Sequence, residues 1–122
     1  MRYRYATVPA LANPEGLQPV VFLDPYETLY ALPIASDVNQ FFETYSHYVE
    51  LMAEDPEYKA RGASMIGLPW GTPELIARDR PLIGMIQEGR FDRLMYEHDK
   101  TGWGDQNSIA DIHEWVRNVI EA

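Results

Sequence analysis

The chain of 122 residues contains no cysteine, so disulfide bonds, thiolate nucleophiles and cysteine-ligated zinc are excluded. It also lacks an uninterrupted apolar run near the roughly 20 residues that a membrane-spanning helix requires. The first residues, Met1 to Tyr5, show no apolar core of a secretion signal. We therefore expect a cytoplasmic protein that has no membrane partner.

The signature motifs of common enzyme classes are missing as well. No serine lies in a Gly-x-Ser-x-Gly elbow, no glycine-rich loop carries the lysine of a phosphate-binding loop, and no His-Glu-x-x-His occurs. Of three histidines, His98 is of most interest, because it lies between Glu97 and Asp99, carboxylates that could orient a base or help to hold a metal. Because adjacent residues of one loop rarely converge on one ion, we expect no catalytic site, no metal site and no cofactor.

Positive charge is scarce. Ten lysines and arginines stand against nineteen acidic residues, and the net charge is −9. Such a field repels nucleic-acid phosphates and attracts a basic protein, although it also serves solubility alone. The acidic residues concentrate in 37–62 and 101–122, whereas 63–100 is nearly balanced. We therefore expect a protein partner and no nucleic acid.

The apolar pattern predicts one α+β domain over residues 1–122. Alternation over 1–9 and apolar segments over 18–23 and 27–34 predict a small antiparallel meander, which packs against a long amphipathic helix. That helix is predicted over 37–54 with Ser36 as its N-cap. Its predicted apolar face comprises Val38, Phe41, Phe42, Tyr45, Tyr48, Val49 and Met52.

Several short helices and a C-terminal helix are predicted to follow. Cap residues and prolines at first helical positions place the short ones at about 56–61, 73–80, 81–89 and 90–96. Ser108 is predicted to cap the last helix, with Trp115 off its apolar stripe. The loop over 63–71 is too apolar for a free linker, and we expect it to pack onto the core.

Aromatic residues beside acidic ones are the main indication of a binding surface. Trp70 and Trp103 lie in glycine-containing loops, and such tryptophans are typical of interfaces, although a lid over a small core has the same composition. The candidate partner-binding residues, chosen as exposed acids and loop tryptophans, are Asp24, Glu27, Trp70, Glu97, Asp99, Trp103 and Asp105.

The segment VVFLDPYETLYALPIASDVNQFFETYSHYVELM, residues 20–52, resembles the closing unit of SUKH-superfamily domains. That superfamily includes yeast cell-wall-synthesis regulators and many bacterial immunity proteins. A strand pair with an acidic turn leads there through a stretch like Ile34-Ala35-Ser36-Asp37 into a helix with a phenylalanine pair, here Phe41-Phe42. The resemblance covers about a quarter of the chain and implies a non-enzymatic, acidic, cytoplasmic protein that binds and neutralises a toxin.

These observations favour a protein-binding module, an immunity protein against a basic toxin, whose acidic surface steers the partner. One alternative is a small-molecule-binding protein or minor enzyme, with His98 and Asp99 in a pocket between loops 63–72 and 99–107. Another is a homo-oligomeric subunit, with Tyr45 and Tyr48 of the long helix in a homodimer interface.

Overall fold

The computed structural model describes residues 4–24, 30–62, 66–96 and 106–122. Three strands form one antiparallel sheet in the order β1-β2-β3: β1 (Arg4–Thr7), β2 (Val20–Asp24) and β3 (Tyr30–Ala35). Tyr5 lies opposite Phe22, which in turn lies opposite Leu32, and the ladder is irregular between Val20 and Val21. The predicted meander is confirmed. A short 3-10 turn, Pro9–Leu11, follows β1.

Helices make up most of the rest of the described chain. They are α1 (Val38–Glu54), α2 (Pro56–Arg61), α3 (Pro73–Ile76), α4 (Arg80–Gln87), α5 (Asp92–Tyr96) and α6 (Gln106–Glu121). The α+β class and the long helix directly after the sheet are confirmed. Within the described residues, none of these helices combines the length and the apolar character needed to cross a bilayer.

The ends of the helices correct two sequence predictions. Asp37, not Ser36, is the N-cap of α1, because its carboxylate accepts a hydrogen bond from the Gln40 amide at 2.8 Å. Ser36 is instead bonded to Asp79. The last helix begins at Gln106, so Ser108 lies inside it and not at its cap.

The hydrophobic core lies around β2 and β3. Val21 and Phe22 project to opposite faces of β2, and both are buried, so the sheet is covered on both sides. Strand β3 contacts α1, α4 and α5, and α3 contacts α6. The most deeply buried large side chains from the helices and from the turn before α5 are Ile76, Leu82, Phe91, Met95, Ile112 and Val119.

Trp115 belongs to this core, which corrects the prediction that it lies off the apolar stripe of α6. It is buried, and its indole Nε1 donates a hydrogen bond to the Pro69 carbonyl at 2.8 Å. Leu68 and Pro69 are buried in turn. The described part of the loop therefore packs onto the core, as its apolar composition predicted.

Candidate functional site

Helix α1 carries a stripe of exposed apolar side chains. Phe42 is 64% exposed and Tyr45 is 41% exposed, and Val38 and Val49 are exposed to a similar degree. These positions are spaced i, i+4, i+7 and i+11, so they lie on one flank of the helix over about 17 Å of its axis. We call these four residues the aromatic flank.

The aromatic flank is exposed because α1 packs against the rest of the protein with another of its faces. Thr44 is the one residue of α1 that is buried, and Phe41 and Tyr48, on the same side, are half-buried. At 100° per residue, the centre of the aromatic flank lies roughly 100° around the helix from this packed side. The flank therefore faces sideways along the sheet, and no described element covers it.

Strand β1 lies next to the aromatic flank. The Tyr5 ring contacts the Phe22 ring at 5.9 Å between centroids and the Phe41 ring at 5.0 Å. Phe41 also contacts Phe42 and Tyr45, at 5.6 and 5.9 Å. Rings at these distances pack favourably. A continuous row of rings therefore leads from the buried core out to the exposed flank.

Tyr5 of this row and the neighbouring Tyr48 have raised pKa values. Burial, followed by electrostatic interactions with Tyr45 and Tyr48, raises the pKa of Tyr5 above its ordinary value of 10.0. Burial and Tyr45 raise the pKa of Tyr48 in the same way, and the Tyr48 hydroxyl donates a hydrogen bond to the Ile66 carbonyl at 2.9 Å. Tyr5 and Tyr48 are therefore uncharged phenols near neutral pH.

The opposite flank of α1 is acidic. Glu43, Glu50 and Glu54 have the same i, i+7, i+11 spacing and lie roughly 130° around the helix from the aromatic flank. The Glu50 carboxylate lies 3.7 Å from Nδ1 of His47, and both side chains are largely exposed. The apolar and acidic surfaces of α1 are thus parallel and separate.

The net charge of the chain arises in the same segment. Nine acidic residues and no lysine or arginine occur between Arg4 and Lys59, whereas the remaining ten acidic residues are balanced by ten basic ones. Residues 5–58 include β2, β3, α1 and all of β1 except Arg4. The formal charge of −9 is therefore carried wholly by the part of the chain that also carries the aromatic flank.

The start of α1 is fixed by a buried carboxylate. Asp79 is 2% exposed, and it accepts hydrogen bonds from the Ser36 amide at 2.6 Å and the Ser36 hydroxyl at 2.8 Å. It also accepts one from the Leu82 amide at 3.2 Å and so caps α4. Because its oxygens are satisfied, we assign Asp79 a structural role. It ties the β3–α1 junction to the α3–α4 junction.

A shallow groove of about 490 Å³ adjoins the aromatic flank. Thr7 at the end of β1 lines one side, and Asp37 and Val38 at the start of α1 line the other. Leu17, from the β1–β2 connection, is exposed within it. The groove thus continues the aromatic flank past its N-terminal end.

Most of the predicted partner-binding residues lie outside what the structure describes. Glu27, Glu97, Asp99, Trp103 and Asp105 fall outside the described residues, and Asp24 is described only as the last residue of β2.

Trp70 is the remaining predicted partner-binding residue. It is 36% exposed, and its ring contacts Trp115 at 6.4 Å. It therefore lies partly on the core, and no other predicted partner-binding side chain is described beside it.

The pocket of the small-molecule alternative cannot be traced in the described chain, because His98 and Asp99 both lie outside it. Among the residues that the structure does describe, no three histidines or acidic residues form a group that could hold a metal ion. Of the other histidines, His113 stacks on Tyr96 at 4.5 Å. That contact accounts for it as a packing residue at the edge of α6.

The aromatic flank as a whole was not predicted as a site, because its residues belong to the face of α1 that was assigned to the core; only Tyr45 was also considered for a homodimer interface. A signal was present: apolar side chains of α1 extend over about 160–200° of its circumference, more than the roughly 100° that one buried stripe needs. No family model, curated protein or solved structure matches this chain. The resemblance to SUKH domains accordingly stays a prediction.

Proposed function

We propose that this protein is a protein-binding module that captures a basic protein partner, and that it acts as an immunity protein that neutralises a basic toxin. One observation carries the proposal: the aromatic flank of α1 is exposed within a segment that holds all of the net negative charge. The resemblance to immunity proteins of the SUKH superfamily supplies the toxin class.

The size of the flank fits part of an interface. If a fully exposed aromatic or valine residue offers about 150–250 Å², the exposed fractions of the flank and of Tyr5 amount to on the order of 400 Å². A standard interface buries about 800 Å² on each partner. The flank is therefore large enough for a central apolar contact, with polar and acidic residues as its rim.

The charge distribution favours a basic partner over a second copy of this chain. Two copies would each bring a charge of −9 into contact through their most acidic segments, and like charges oppose association. A basic partner is attracted instead, and its association rate falls as salt screens the field.

The decisive test compares three forms of the protein as baits in lysate of the source organism. The double variant Phe42→Ser/Tyr45→Ser removes the aromatic flank. Leu51→Ser is the matched control, because Leu51 is an exposed apolar residue on another side of α1. We expect the wild type and Leu51→Ser to retain a basic protein in stoichiometric amount and the double variant to lose it. The reason is that central aromatic residues contribute most of the binding energy.

The toxin reading requires a further result. The captured protein, expressed alone, should arrest growth, and co-expression of the wild type, but not of the double variant, should restore it. Equal retention of the partner by all three baits would contradict the assignment of the flank. A captured partner that is harmless when expressed alone would contradict neutralisation of a toxin.

A further inference from the structure

Strand β1 is an open edge of the sheet. It pairs with β2 on one side, and no other strand among the described residues pairs with its far side. Tyr5 and Thr7 are both exposed. An exposed edge strand presents unpaired backbone groups that can pair with another chain.

The ladder identifies which backbone groups face outward. The Val8 amide donates to the Pro19 carbonyl at 3.0 Å, so Val8 and Pro19 form a hydrogen-bonded pair. Hydrogen-bonded and non-hydrogen-bonded pairs alternate along an antiparallel ladder, so Ala6 bonds to β2 while Tyr5 and Thr7 do not. The N–H and C=O groups of Tyr5 and Thr7 therefore point away from the sheet.

The aromatic flank runs alongside this open edge. Tyr5 contacts Phe41 in the first turns of α1, and Thr7 shares the groove with Val38 at its start. Strand β1 and helix α1 therefore run side by side in opposite directions. A segment added to β1 would lie beneath the flank, with every second side chain directed at Phe42, Tyr45 and Val49.

We infer that the partner contributes an extended segment that pairs with β1 as a fourth, antiparallel strand, with apolar residues at alternate positions and basic residues between them. This inference rests on the proposed function and specifies the form in which the partner binds. Strand addition is a known mode of peptide recognition, in which backbone bonds supply affinity and pockets for alternate side chains supply specificity. The charge of residues 5–58 favours the basic residues.

The geometry predicts which backbone groups of the added strand matter. In an antiparallel ladder, residues directly opposite each other share a face of the sheet. The residues bonded to Tyr5 and Thr7 are therefore the apolar ones, because those side chains face α1. The N–H groups of the intervening basic residues point to solvent.

The probe is the capped peptide Lys-Ile-Lys-Val-Lys-Ile-Lys, measured by isothermal titration calorimetry against the full chain. N-methylation of the isoleucines and valine removes the donors that face β1, and N-methylation of the lysines is the matched control. We expect the first to weaken binding at least tenfold and the second to change it less than threefold, because each lost backbone bond costs about fivefold in affinity.

Variants of the protein test the same pairing from the other side. Thr7→Pro removes an outward N–H without touching a bond to β2, and proline is tolerated in edge strands. Thr7→Val keeps the N–H and is its control. Because one backbone bond is lost, we expect Thr7→Pro to weaken probe binding about fivefold and Thr7→Val to leave it unchanged, with unaltered circular dichroism for both.

The outcomes separate this inference from the proposed function. If the Phe42→Ser/Tyr45→Ser variant loses probe binding while Thr7→Pro and N-methylation leave it intact, strand addition is overturned and the aromatic flank remains the binding surface. Binding indifferent to all of these changes would overturn both. The inference would also be overturned if the wild type became a dimer at high concentration while Thr7→Pro stayed a monomer, because the edge of β1 would then pair with a second copy of the chain.

Discussion

Replacing Asp79 with alanine should lower the free energy of unfolding by about 3–4 kcal/mol, more than any surface substitution in this chain. The carboxylate is buried and accepts three hydrogen bonds, two from Ser36 and one from the Leu82 amide. Alanine would leave all three donors without an acceptor. Loss of the cap of α4 alone costs about 0.5–2 kcal/mol, and hydrogen bonds to a charged group contribute about 1.5–3 kcal/mol each, although such losses are not additive.

Two further variants show how much each hydrogen bond of Asp79 contributes to this loss of stability. Asp79→Asn keeps the shape but places an amide NH₂ against either the Ser36 or the Leu82 amide, so we expect a loss of about 2 kcal/mol. Ser36→Ala removes only the hydroxyl bond to Asp79 and should cost about 1 kcal/mol. In the Asp79→Ala background the Ser36→Ala change should cost almost nothing, since its partner is already absent. That difference is the coupling energy of the pair.

Urea denaturation of the wild type and these four variants measures the values from the transition midpoint at unchanged slope. The Asp79→Ala variant should also lose affinity for the partner, because Asp79 fixes Ser36 and thereby the position at which α1 begins. A loss of stability below 1 kcal/mol, or additive effects of the two alanine substitutions, would refute the structural role assigned to Asp79.

Three other predictions concern backbone conformation, packing and pH. Gly84→Ala should stabilise the protein by about 0.5–1 kcal/mol, because Gly84 lies in the interior of α4 and the added methyl group meets no atom within 4 Å. Gly62→Ala should destabilise the protein by about 1 kcal/mol, because Gly62 has a φ of +72°. Thermal denaturation measures the sign of both changes. Trp115→Phe should cost about 1–3 kcal/mol in urea denaturation, because it leaves the Pro69 carbonyl without its 2.8 Å donor. The raised pKa of Tyr5 means that the unfolded chain ionises first as pH rises, so stability is intact below about pH 10 and falls above it. Tyr5→Phe should flatten that fall, and an identical alkaline profile for both proteins would contradict the assignment.

The strands and helices could be predicted because their signals are local. Apolar alternation and proline positions placed all three strands, and the Asp55-Pro56 pair with Gly62 placed both ends of α2. The cap of α1 was predicted one residue early, at Ser36 instead of Asp37. Both types are good caps, and the choice depends on Asp79, which is 43 residues away from Ser36. Sequence patterns do not report such a distant partner.

The candidate site was not predictable from the same signals. Periodicity shows that α1 has an apolar side, but it does not show how the helix is rotated about its own axis against the sheet. That rotation depends on which side chain fits the sheet, and here the small Thr44 is buried while Phe42 is exposed. The prediction therefore assigned Phe42 and Val49 to the core, gave Tyr45 an exposed role only in the homodimer alternative, and looked for the partner site among loop tryptophans and acids.

The rotation of α1 links the fold to the proposed function. Asp37 caps the helix and Asp79 holds the preceding residue, so the first turn has little freedom to rotate. Helix α1 packs through Thr44, with Phe41 and Tyr48 half-buried on the same side, and Phe42 and Tyr45 are thereby left exposed beside the open edge of β1. The uncovered apolar surface of α1 is thus next to the outer edge of β1. Among the described strands, this is the only edge at which residues with outward N–H and C=O groups also have exposed side chains. A partner segment that pairs with the edge of β1 is also positioned to contact the aromatic flank, and for this reason the two surfaces are best tested together.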